Sequence, residues 1–261
     1  MLNDPAQREQ PIRLFWWRQK PNFGDGINPR LVSHFFEREV VWSHRQTAEL
    51  IAVGSLIPML KDRLLDENPP IVWGSGSLHH PEFLRQIDRV DNFLAIRGYL
   101  SASELSDFRG PYGDPALLCP RVEPKAEKTQ QVGVVPHHMQ WADQAFIDAV
   151  SANGAMLIDV RLKDPWEVVR QISSCARVFS NSLHGLIVAD AYRVPNYWLD
   201  GPRFGSHYKF FDYFHTVGRR DKRPMSLDEC FANGDVDLAY QENLPAMEDA
   251  LLGAIPKSLH T

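Results

Sequence analysis

Residues 177 to 195, R-V-F-S-N-S-L-H-G-L-I-V-A-D-A-Y-R-V-P, constrain the fold of this chain more than any other segment. Val178 and Phe179 read as an apolar strand, Ser180, Asn181 and Ser182 as a break, and Leu186, Ala189, Asp190 and Tyr192 as a helix running up to Pro195. A strand feeding directly into a helix is the unit of an α/β fold, and its hinge leaves backbone N–H groups at the positive end of a helix dipole. His184 stands at that hinge. Two readings are open there: a group that meets an anion and moves a proton near neutral pH, or a histidine that caps or packs a helix start.

The same alternation runs through the chain. Apolar runs at 12–17, 49–54, 71–74, 92–96, 131–135, 155–159, 177–180 and 196–199 read as strands, with amphipathic stretches between them. Capping chemistry marks helix starts at Ser101 with Glu104, at Asp164 with Pro165 and Glu167, and at Ser226 with Glu229. Residues 120–130 are polar, proline-bearing and aperiodic, which reads as a linker. The expectation is an α/β protein of two Rossmann-like domains, 1–120 and 131–261, with ligands at the carboxyl ends of their strands in a cleft between them.

Composition narrows the partners. A chain of 261 residues with 44% hydrophobic content can bury one large core or two medium ones, and a net charge of −5 lacks the basic excess expected of a nucleic-acid protein. Cys119, Cys175 and Cys230 are odd in number and widely spaced, so neither a disulfide framework nor a zinc site is expected, and a reducing cytoplasm fits. No apolar run approaches the ~20 residues of a membrane span, and the first ten residues are too polar for a signal peptide.

Candidate site residues gather at strand ends. Asn22, Gly24 and Asp25 lie in a glycine turn before a helix starting near Asn28 and Pro29. Asp25 there either meets a sugar hydroxyl, as acceptor or base, or bonds its own backbone. Gly74-Ser-Gly-Ser77 lets a ligand approach the backbone but is not a G-x-G-x-x-G run, and no P-loop is present. Arg97 ends the strand at 92–96 with a guanidinium suited to carboxylate or phosphate. Residues 113–118 read as a structural turn into a short buried strand, with Asp114 bonding local backbone. His137 and His138 close the strand at 131–135, where adjacent side chains point to opposite sides, so one of them is expected to face the cleft; no metal is expected.

N-F-G-D-G-I-N-P at 22–29, G-S-G-S at 74–77, I-R-G at 96–98, G-D-P-A-L-L at 113–118, V-P-H-H at 135–138, S-N-S-L-H-G-L-I-V-A-D-A-Y at 180–192 and Y-K-F-F-D-Y-F at 208–214 resemble, in order, the polysaccharide pyruvyl transferases, in particular the short bacterial ketal pyruvate transferases of exopolysaccharide assembly. The resemblance covers about residues 12–219. It implies a fold similar to GT-B glycosyltransferases and transfer of pyruvate from phosphoenolpyruvate onto two hydroxyls of one sugar, with no further cofactor. It also implies a glycan or lipid-linked oligosaccharide acceptor at the inner membrane face, met by a cytoplasmic or peripherally bound enzyme. His184, Arg97 and one of His137 and His138 would surround the donor. In one departure, Asn181 and Ser182 precede Leu183 where many relatives carry Arg, which leaves open what replaces that arginine's donor contacts.

The chemistry of such a reaction fits these residues. A donor with a carboxylate and a phosphate needs a guanidinium and helix-terminus N–H groups, which Arg97 and the turn at Ser182, Leu183 and Gly185 would supply, with Lys209 and His138 beside them. His184 is the expected acid or phosphate partner, and Asp25 or His137 the base, with these roles exchangeable. Lys209 and Asp212 hold donor or acceptor, or else flank an aromatic packing patch; Asp212, Asn22 and Gly24 are assigned to the acceptor side. Trp16 and Trp17 either stack on sugar or pack the core. The competing functions are a GT-B-like glycosyltransferase using a nucleotide sugar and a catalytically silent glycan-binding domain.

Overall fold

The computed structural model describes residues 10–202, 206–233 and 238–259. The polar opening segment, residues 1–9, lies outside them. In chain order the elements are β1 (Ile12–Leu14), α1 (Phe23–Gly26), α2 (Asn28–Phe36), β2 (Val40–Trp42), β3 (Leu50–Ile51), α3 (Lys61–Leu64), β4 (Ile71–Trp73), β5 (Phe93–Ala95), α4 (Tyr99–Ala102) and α5 (Cys119–Val122). There follow β6 (Gln130–Val135), α6 (Gln144–Ala152), β7 (Met156–Leu157), α7 (Pro165–Ser173), β8 (Cys175–Ser180), α8 (Leu183–Ala191), β9 (Asn196–Trp198), α9 (Tyr208–Val217), α10 (Leu227–Ala232) and α11 (Leu244–Gly253). Two parallel sheets result, ordered β2-β1-β3-β4-β5 and β7-β6-β8-β9, which makes this a mixed α/β fold.

Each of the eight apolar runs carries a strand, and one more, β2, pairs with β1 at the edge of the first sheet. Two of the three expected caps hold. Asp164 accepts from Trp166 N–H with Pro165 entering α7, and Ser226 and Glu229 form a reciprocal capping box on α10. Ser101 does not cap: it lies inside α4 behind Gly98, and its N–H donates to Asp212 Oδ1 instead (2.9 Å). Residues 115–118 are a 3₁₀ turn rather than a strand, because Pro115 fixes its first residue and Asp114 accepts from Ala116 N–H (2.9 Å).

Parallel strands buried on both faces must be apolar, and α8 shows what that requires of a neighbouring helix: all nine of its residues are buried. It packs on β8, β9 and the 3₁₀ turn 115–118, so a helix of the second sheet rests on a connection of the first. The chain also crosses back late. Trp73, fully buried at the end of β4, donates from its indole N–H to Leu251 O in α11 (3.0 Å), and α9 packs on α4. The largest core cluster accordingly runs from Ile12 to Leu259 and contains residues of both sheets. Cys119, Cys175 and Cys230 are free and buried.

Candidate active site

The carboxyl ends of both sheets converge on one polar cluster, and glycines and small residues bring it together. Asn28 fixes the turn after β1: its side chain donates to Val53 O and Asp25 O and accepts from Val53 N–H. Asn22 caps α1 through Gly24 N–H and donates to Asp25 Oδ2 (2.7 Å), while Phe23 N–H reaches Val160 O beyond β7 (3.0 Å). This turn therefore spans from the first sheet to the second. Asp25 is 7% exposed, and burial pushes its carboxyl up to about 6 against the lowering pull of His184, of the Asn22 hydrogen bond and of Lys209.

His184 is the second residue of α8, whose cap residue Ser182 makes no side-chain hydrogen bond to the helix. The N–H groups of that first turn are left for a ligand, beside a positive dipole end. Ser182 is instead held by Ser180 Oγ, which accepts from its N–H and donates to its carbonyl. A Cβ on Gly24 would lie 2.1 Å from His184 Nδ1, so only glycine lets the ring sit against α1. On the ring's other edge Nε2 faces Asp114 Oδ2 at 3.6 Å, and both atoms are buried without a hydrogen-bond partner. Asp114 is fully buried, and its position is set by Gly113 (φ +146°) and by Gly74 (φ +75°), whose Cβ would meet Pro115 at 2.3 Å.

Arg97 was expected to face the donor, and its burial corrects that. The guanidinium is 0% exposed, with Nη1 on Ser55 Oγ (2.8 Å) and Nη2 on Ser77 O (2.7 Å) and Asp212 Oδ2 (3.4 Å). Asp212 is equally buried and also takes Ser101 N–H and Oγ, so it sits behind the site and not on the acceptor. The G-S-G-S segment serves this pair: a Cβ on Gly76 would strike the Arg97 guanidinium carbon at 2.3 Å. Gly185 and Leu183 are packing positions too. A Cβ on Gly185 would meet Ser180 Oγ at 2.2 Å, and the Leu183 side chain is 2% exposed, leaving their backbone alone for a ligand.

Lys209 joins this cluster to a cleft. It is half-buried on α9, and burial together with the nearby positive Arg97 pulls its ammonium down to about 8, against the raising effect of Asp25. It lines an open cleft with His137, Asn181, Trp198, Ser206 and His207. His137 and His138 lie past the end of β6, where His137 caps a 3₁₀ turn. Their ring centroids lie 4.1 Å apart with the planes tilted by 40°, since out of the strand they no longer alternate. Burial first, then His138 and Lys209, push His137 down to about 4, which keeps it neutral at pH 7. His138 is lowered by burial and by Lys20, Lys209 and Arg161. Phe210, Phe211 and Phe214 of α9 surround Trp198, with Phe210 stacked at 4.9 Å, and Trp16 and Trp17 pack against the cores.

Of the residues singled out in the sequence, Asn22, Gly24, Asp25, His184 and Lys209 thus meet at one place, with His137 and His138 at the adjoining cleft. The sequence reading gives Asp114 a local backbone bond, which it makes to Ala116 N–H; the signal it misses is a second carboxylate oxygen with no local donor to occupy it. Among the described residues, no three His, Cys, Asp or Glu side chains group as a metal site would need. No helix among them is long and apolar enough to cross a membrane.

The chain is 28% identical over 245 residues to uncharacterized protein L143 of Acanthamoeba polyphaga mimivirus, covering 85% of this chain and 83% of that one. It is 25% identical over 228 residues to succinoglycan biosynthesis protein ExoV of Rhizobium meliloti (strain 1021), covering 78% of this chain and 64% of ExoV. No solved structure matches it. The polysaccharide pyruvyl transferase family matches residues 22–201, from the glycine turn through the His184 helix to the end of β9, and the chain belongs to that family of transferases.

Proposed function

We propose that the enzyme moves pyruvate from phosphoenolpyruvate onto two hydroxyls of one sugar, in a polysaccharide or lipid-linked oligosaccharide, forming a cyclic ketal. Family membership and the biosynthetic name of ExoV support the substrate class. The observation that carries the mechanism is the meeting of Asp25, His184 and Lys209 at the carboxyl ends of both sheets. In this reading the halves 1–120 and 131–261 face each other as in GT-B enzymes, the first taking the acceptor and the second the donor.

The reaction needs a proton at the methylene carbon of the donor, a base for the attacking hydroxyl, and a cation for phosphate. Lys209 and the first-turn N–H groups of α8 hold the donor's anionic groups. His184 protonates the methylene carbon as the first hydroxyl oxygen bonds to the neighbouring carbon. The second hydroxyl oxygen then replaces phosphate on that carbon. Overall, one hydroxyl hydrogen equivalent ends in the new methyl group and one on phosphate. Asp25, buried and near neutral in its proton affinity, takes a hydroxyl proton; neutral His137 at the cleft serves the other.

Calorimetry of phosphoenolpyruvate against the enzyme and its His184→Ala and Lys209→Gln variants, with UDP-sugars as control, tests this. Donor binding that weakens in both variants is expected. UDP-sugar binding without phosphoenolpyruvate binding would make the chain a glycosyltransferase, and sugar binding without either donor a silent glycan-binding domain.

A further inference from the structure

Two buried atoms that face each other without bonding mark the least satisfied point of the site. Asp114 Oδ2 and His184 Nε2 are 3.6 Å apart, and neither has any other partner. Leaving a buried donor or acceptor unmade costs about 1–3 kcal/mol, so local structure alone does not account for the pair. Local structure uses only the other oxygen: Oδ1 accepts from Ala116 N–H and starts the 3₁₀ turn. A cap needs one acceptor, and serine or asparagine would provide it. The second oxygen, fully buried, has His184 in front of it.

The ring's two edges differ sharply. Nε2 is shut in against Asp114, so a ligand cannot exchange a proton there. Nδ1 packs against Gly24 but is not sealed: the side chain keeps 11% exposure, and Nε2, not Nδ1, is its buried unpartnered nitrogen. The open edge of the imidazole is therefore Nδ1.

Building on the donor reading above, we propose that Asp114 is a positioning residue for pyruvyl transfer: its carboxylate directs the proton of resting His184 onto Nε2, which leaves Nδ1 as the nitrogen that exchanges protons with substrate. Nδ1 takes a proton from solvent and delivers it to the methylene carbon, and the ring returns to its Nε2–H form. Between these events the ring carries a positive charge, and Asp114 balances it from within hydrogen-bonding reach after a shift of a few tenths of an ångström. Asp114 itself does not touch substrate in this step; it acts through His184.

Asp114→Asn is the informative variant, because its side-chain oxygen keeps the cap on Ala116 while its amide presents N–H groups to Nε2. The full-length enzyme, labelled with ¹⁵N-histidine, gives the tautomer directly, the His184 signal being assigned by its loss in His184→Gln. The wild type is expected to carry the proton on Nε2 and Asp114→Asn to carry it on Nδ1. With turnover, kcat is expected to fall about 10²- to 10⁴-fold at unchanged KM for phosphoenolpyruvate. A wild-type His184 protonated at Nδ1 overturns the proposal without any variant, and so does an Nε2–H tautomer that survives in Asp114→Asn. If the wild type does not consume phosphoenolpyruvate, the donor reading fails, and the tautomer measurement still decides the role of Asp114.

Discussion

Removing the charge of Asp212 tests whether Arg97 is a clamp within the protein or a ligand for substrate. Both side chains are 0% exposed, and Asp212 is the carboxylate that faces the guanidinium. Breaking a buried ion pair by deleting one partner costs about 3–5 kcal/mol, because the other charge stays buried. Asp212→Asn falls at the low end, since the asparagine oxygen keeps the Ser101 N–H bond and Ser55 and Ser77 still hold the guanidinium. About 3 kcal/mol corresponds to a melting temperature lowered by roughly 6–12 °C for a chain near this length. Arg97→Met leaves the opposite charge and costs a similar amount, whereas the double variant carries neither. Urea unfolding of all four proteins is therefore expected to give a coupling energy above about 1 kcal/mol, with the double variant more stable than the sum of the singles. Additivity within about 0.5 kcal/mol would refute the clamp. Binding gives a second check. Arg97→Met takes a positive neighbour from Lys209, so the ammonium titrates higher than about 8 and phosphoenolpyruvate binding survives better than in Lys209→Gln. Loss of donor binding in Arg97→Met equal to that in Lys209→Gln would place Arg97 on the substrate.

Asp25 ties activity and stability to pH in opposite directions. Its folded carboxyl holds its proton more tightly than the unfolded one, at about 6 against 3.8. The native state is therefore favoured by roughly 3 kcal/mol at pH below 3.8 relative to high pH, and that advantage is lost as pH rises through about 6. Asp25→Asn should remove this slope, read by urea unfolding from pH 4 to 8, and should lower kcat about 10²- to 10⁴-fold. In the wild type kcat should fall as pH drops through about 6, where the base becomes protonated. Phosphoenolpyruvate affinity should weaken as pH rises past about 8 and Lys209 loses its charge, and calorimetry on Lys209→Gln should show no such limb. Gly24→Ala should cost about 1–3 kcal/mol and displace the His184 ring, with activity lost well below the melting temperature.

How far the sequence discloses this molecule depends on the range over which each signal acts. Strands β4, β6 and β8 announce themselves because a parallel strand covered on both faces must be apolar, and Asp164-Pro165 and Ser226-Glu229 because a cap is satisfied within four residues. β2 escapes notice: it is a three-residue edge strand with no buried residue in it. Trp73 and Leu251 meet across 178 positions, and nothing local in α11 says which sheet it will cover. The site divides along the same line. Glycine turns and the strand–helix hinge mark where a ligand fits, so Gly24, Asp25 and His184 are legible. What each charge faces is not. Arg97 at a strand end reads as a group reaching outward until Asp212 arrives from 115 positions away to enclose it. Asp114 gives the reverse case, a residue whose local duty explains one oxygen and conceals the other. A carboxylate has more acceptor sites than a turn consumes, so a buried aspartate assigned to a cap still owes an account of its second oxygen. That account leads from the 3₁₀ turn to the edge of the His184 ring.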